Sequence, residues 1–186
     1  SAELVHPGLD AAKGSSWRSS VSPSTQLTGE VATPGSQNLQ FNPNPGPNIE
    51  NVVRSPLNPA SGNPITVSAD LSDADGIASA TLSYQIVAPG NFIPANLPLP
   101  IVNHNIDTSQ AHTPNPDFEN PANWTNVAMH DDGLNGDLTA ADGTFTAIIP
   151  AQANRSLVRY RVTAADVPGV VVRAPFDDDM SRNFAC

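Results

Sequence analysis

The strongest constraint on this chain is a two-residue rhythm, broken at short intervals. In "LVRYRVTAAD" (157–166), Val158, Tyr160, Val162 and Ala164 fall on one side of an extended backbone, and Arg159, Arg161 and Thr163 fall on the other. "PITVSADLS" repeats the pattern, with Ile65, Val67, Ala69 and Leu71 in line. "IASATLSYQIV" places Leu82, Tyr84 and Ile86 together, and "GTFTAII" aligns Phe145, Ala147 and Ile149. Period two is the signature of a half-buried strand, because successive side chains point to opposite faces. The 19 Pro and 12 Gly among 186 residues interrupt every such run. Long helices are excluded, and short strands joined by turns are expected.

Strands are expected at 49–54, 65–71, 77–87, 124–129, 144–149, 157–165 and 169–174. Seven short strands with turn signals between them fit an all-β sandwich of immunoglobulin-like or fibronectin-III-like topology. On this reading residues 1–48 form an extended Pro/Gly/Ser-rich arm. Its "NPNPGPN" (42–48) is a stiff connector, and Trp17, Leu27, Val31, Leu39 and Phe41 are isolated apolar anchors. The sandwich spans 49–175 and carries an irregular insertion at 91–123. There "ANLPLPIV" is suited only to an edge strand. Residues 176–186 read as an acidic tail reaching outside the sandwich. Tyr84, Tyr160 and Trp124 are expected in the core.

The net charge is −10, and 14 of the 18 acids are Asp. Asp prefers turns and caps where Glu prefers helices, so the carboxylates belong to loops. Eight basic residues, one of them Lys (Lys13), make no phosphate-binding stripe, so nucleic acid is not an expected partner. No apolar run is long enough for a transmembrane helix. The lone Cys186 cannot form an internal disulfide. The missing initiator Met and apolar leader are expected of a processed chain or a piece of a larger one.

Most of the chemistry sits in "MHDDGLNGDLTAADGTF" (129–145). In an up-and-down path, the turns at 72–76, 130–143 and 166–168 all fall at one end of a sandwich. That gathers Asp73 and Asp75, then Asp131, Asp132, Asn135, Asp137 and Asp142, then Asp166. Mutual repulsion among these carboxylates would be relieved by Ca²⁺, which takes six to eight oxygen ligands. Counted from Asp131, the loop has Asn at position 5, Gly at 6 and Asp at 12. Gly133 at position 3, the missing Glu at 12 and the missing flanking helices argue against an EF-hand. The alternative is that Asp and Gly simply suit tight turns and Asx hydrogen bonds. His104, His112 and His130 lack the spacing of a transition-metal site.

No nucleophile elbow, Walker loop, HExxH motif or paired glutamates occur, so no catalytic residues are expected. The segments "NPASGNPITVSADLSDADGIASATLSYQI", "WTNVAMHDDGLNGDLTAADGTFTAIIPAQ" and "LVRYRVTAADVPG" resemble a bacterial extracellular Ig-like domain. That domain is found beside lamin-tail-like and spore-coat-protein-H-like kinase domains in large secreted proteins. The resemblance covers roughly 49–184, and "DDG…GD…ADGTF" followed by "IPAQ" is its most specific part. It implies a non-catalytic module, extracellular, at the cell surface or periplasmic, that spaces or docks neighbouring protein domains or subunits. A carbohydrate-binding or adhesion module is one alternative, with glycans as partners. Another is an accessory subunit held in a larger extracytoplasmic assembly by its arms.

Overall fold

A computed structural model describes residues 2–7, 9, 11–12, 14–19, 37–109, 111–176, 179 and 181–186. The expectations placed on Lys13, Leu27 and Val31 lie outside these residues. Twelve strands are present among the described residues: β1 Ala2–Leu4, β2 Trp17–Ser19, β3 Asn48–Ser55, β4 Ile65–Ser72, β5 Ile77–Val87, β6 Ile101–Val102, β7 Asn105–Ile106, β8 Thr125–Ala128, β9 Thr144–Ile149, β10 Leu157–Asp166, β11 Val171–Ala174 and β12 Phe184–Ala185. Among the described residues one short α-helix, α1, spans Pro116–Glu119, with Asn115 capping its first turn. The chain is therefore mostly β, as the two-residue rhythm requires.

Two antiparallel sheets carry the fold. One has the order β3-β4-β9, and the other β11-β10-β5-β8. They share one core, built from Ile65, Val67, Ala69 and Leu71 of β4, Ala147 and Ile149 of β9, Leu82 and Tyr84 of β5, and Val158, Tyr160, Val162 and Ala164 of β10. These are the inward positions that the alternation marks. Each large apolar side chain removed from water there contributes about 1.5–3 kcal/mol. Ile86 departs from the pattern and is 38% exposed.

The expected seven strands are all present, with boundaries moved by a residue or two, but several surroundings differ. Residues 101–106 do not edge either sheet. They form their own hairpin, β6–β7, turning through Asn103 and His104 with φ of 50° and 63°. The tail at 176–186 does not lie wholly outside the sheets, because β12 pairs with β10 through Arg159↔Ala185 and Tyr160↔Phe184. The described part of the arm contains regular structure. β1 and β2 form a ladder, and Asn42 donates its backbone N–H to Val5 O at 3.0 Å.

The connector lies flat on the second sheet. A Cβ added at Gly46 would stand 2.7 Å from Val170 Cγ1 and Val172 Cγ2, so only glycine permits that approach. Asn44 Nδ2 also donates to Asp166 Oδ2 at 2.8 Å.

The insertion covers the outer face of the β5–β10 pair. Gln85 is 1% exposed although it points away from the shared core. Its Nε2 donates to Phe118 O, and its Oε1 accepts from Arg159 Nη1. The Arg159 guanidinium lies 4.7 Å from the Phe118 ring, and the Arg161 guanidinium lies 4.0 Å from the Trp124 ring. Arg161 Nη1 also pairs with Glu119 at 2.8 Å. Trp124 is buried, as expected, but outside the shared core: its Nε1 donates to Phe118 O.

Candidate metal centre

The three acidic turns do meet at one end of the molecule. Val167 N donates to Gly76 O at 3.1 Å, which joins the β10–β11 turn to the β4–β5 turn. Leu71 N donates to Gly143 O at 2.8 Å, which joins the β8–β9 loop to the end of β4. The carboxylates, however, do not form one cluster.

Most of them are engaged locally. Asp73 Oδ1 accepts from Asp75 N, Asp132 Oδ1 from Leu134 N, Asp137 Oδ1 from Thr139 N and Asp142 Oδ1 from Thr144 N. Each bond reaches two residues ahead, the geometry of an Asx turn. Asp166 Oδ1 accepts from Gly169 N and Val170 N, closing the β10–β11 turn. Asp75 and Asp73 line a cleft of about 750 Å³ between the arm and the sheets, together with His6, Arg18 and Phe176. Turn chemistry therefore accounts for much of the acid content.

Three carboxylates do converge. Oxygens of Asp131, Asp137 and Asp142 all lie within 4.8 Å of one another, and among the described residues this is the group that could hold a metal ion. No histidine joins it. Asp131 organises the end of the loop, since its Oδ1 accepts from Asp142 N and its Oδ2 from Gly143 N at 2.9 Å. Asp137 organises the middle, since its Oδ2 accepts from Gly133 N at 2.6 Å. That N–H holds the Asp137 carboxyl below its ordinary value of 3.8; burial opposes the effect, and the N–H groups of Thr139, Asp132 and Leu138 add to it. Asn135 lies in the same loop. It is the first central residue of a tight turn, with φ of 53° followed by 99° at Gly136, closed by Asp137 N to Leu134 O at 3.0 Å.

A carboxylate has about four lone-pair directions, so the backbone bonds leave Asp131 and Asp137 able to accept more. Chemically the arrangement is a hard, all-oxygen donor set, which suits Ca²⁺ or Mg²⁺ over a thiophilic metal. Of the eight residues the sequence singles out, Asp131, Asp137 and Asp142 are brought together. Asp73, Asp75, Asp132 and Asp166 are not in the group, and Asn135 occupies the turn just before Asp137. Thr146 also belongs to the loop's surroundings, and nothing in its sequence context marks it.

Elsewhere, burial pushes the Cys186 thiol up, with Arg54 opposing. It is therefore not a ready thiolate nucleophile at neutral pH. Tyr84, Tyr160 and Trp124 are buried, so their rings offer no surface platform for a glycan. In comparisons with known proteins, the chain matches no family model and no curated protein.

Proposed function

We propose that the chain is a non-catalytic Ig-like module of a secreted or cell-surface bacterial protein. It spaces or docks neighbouring domains or subunits, and a Ca²⁺ ion stiffens one end. The observation that carries the module reading is strand order. With β3, β4 and β9 named as strands A, B and E, and β5, β8, β10 and β11 as C, C′, F and G, the sheet orders β3-β4-β9 and β11-β10-β5-β8 support that reading. Such a frame positions loops at its two ends and leaves its arms and edges for contacts.

The ion reading rests on the Asp131, Asp137 and Asp142 carboxylates. Three carboxylates this close repel one another, and a divalent cation offsets the repulsion. Thermal melts in excess Ca²⁺ and in EGTA test it. At a free Ca²⁺ concentration about 100 times the Kd, binding adds about 2.7 kcal/mol of stability. For a chain of this size that raises the midpoint by about 5–10 °C. Equal midpoints in the two solutions remove the ion and leave the module reading standing.

A further inference from the structure

The acidic loop covers a hydroxyl that has no partner. Phe145, Ala147 and Ile149 of β9 face the shared core, so Thr146 between them faces the opposite way, onto the outer side of the β3-β4-β9 sheet. A threonine on such a face is ordinarily wet, yet Thr146 is 4% exposed. The cover is the 131–143 loop. Gly136 stands over Thr66 on the same outer face, so closely that an added Cβ would meet Thr66 Cγ2 at 2.8 Å. The loop also begins beside Thr146, whose backbone N–H and C=O bond to those of His130 at 2.8 and 2.9 Å, one residue before Asp131. Neighbouring Thr144 satisfies its hydroxyl on Asp70 at 3.1 Å. Thr146 Oγ1 is buried and has no hydrogen-bond partner. A buried, unpaired hydroxyl is costly and marks a place where an ion or water belongs.

We infer that Thr146 Oγ1 is a neutral oxygen in the shell of a divalent cation held by Asp131, Asp137 and Asp142, ligating it or holding one of its coordinated waters. This rests on the Ca²⁺ reading above. Three carboxylates seldom fill the six to eight positions Ca²⁺ requires, and neutral oxygens complete the shell. A hydroxyl both lends a lone pair and donates its proton, so it can serve ion and carboxylate together.

Thr146→Val removes the hydroxyl at constant shape, and Thr146→Ser keeps it. Calorimetric Ca²⁺ titration of the full chain should show Thr146→Val weakened about ten- to a hundred-fold and Thr146→Ser within about threefold of wild type. In EGTA, Thr146→Val should melt at or above the wild-type temperature, because it deletes an unpaired group. Wild-type affinity in Thr146→Val overturns this inference alone. A lower Thr146→Val midpoint in EGTA also overturns it, because the hydroxyl would then have a structural partner. Absence of Ca²⁺ binding by the wild type sinks the ion reading and this inference with it.

Discussion

Asp137 shows how one side chain reports on the loop around it. Its carboxylate accepts from Gly133 N and Thr139 N, on either side of the Asn135–Gly136 turn. Those bonds favour the charged form, so the group titrates below 3.8 in the folded chain. The sign follows from linkage. A depressed folded pKa contributes stability that is fully present above the unfolded value and is lost as pH falls through the folded value. Asp137→Asn should therefore be less stable than wild type at pH 7 in urea melts, and the gap should close progressively below 3.8. A gap that stays constant down to strongly acidic pH would show that Asp137 does not hold the loop through its charge.

At the scale of elements, β5 is the informative strand. Its alternation marks one buried face, and Leu82 and Tyr84 occupy it. Ser83, Gln85 and Val87 are nevertheless buried on the other face, where Gln85 bonds to Phe118 O of α1 and Ser83 Oγ donates to Asn126 Oδ1 of β8. Period two cannot show this. It records which residues are polar, and here Gln85 is satisfied by a segment 33 residues away in sequence. Trp124 anchors that segment through Phe118 O and the Arg161 guanidinium. Cation–π contacts of this kind are worth about 0.5–2 kcal/mol, and truncating a large buried ring costs about 3–5 kcal/mol. Trp124→Ala should lose about 3–5 kcal/mol in urea denaturation. It should also speed protease cleavage within 91–123. A loss below about 1 kcal/mol would mean the insertion holds without its anchor.

At the scale of the whole molecule, the question is what the arm contributes. Among the described residues, the shared core and the apolar side chains packed against it include nothing before Ile49. Asn44 and Gly46 touch the β10–β11 end, whereas β1 and β2 pair with each other. A chain lacking residues 1–40 should keep its β circular dichroism spectrum and melt within about 5 °C of the full chain. It should also associate more weakly with neighbouring domains or subunits. Loss of the cooperative transition would place the arm inside the folding unit.

By itself the sequence determined where the seven main strands run, which side of them faces inward apart from Ile86, and which residues turn the chain. These are local properties, written in the period-two pattern and in the backbone preferences of Pro, Gly and Asp. The gathering of three acidic turns at one end also followed, because strand order alone places them there. Only the tertiary structure decided which carboxylates meet, that the insertion covers a second face of β5 and that Thr146 lies dry beneath the acidic loop. Each of these depends on one segment folding onto the surface of another far away in sequence. Gly136 against Thr66 is such a contact, and no residue carries a local mark of what will lie on top of it.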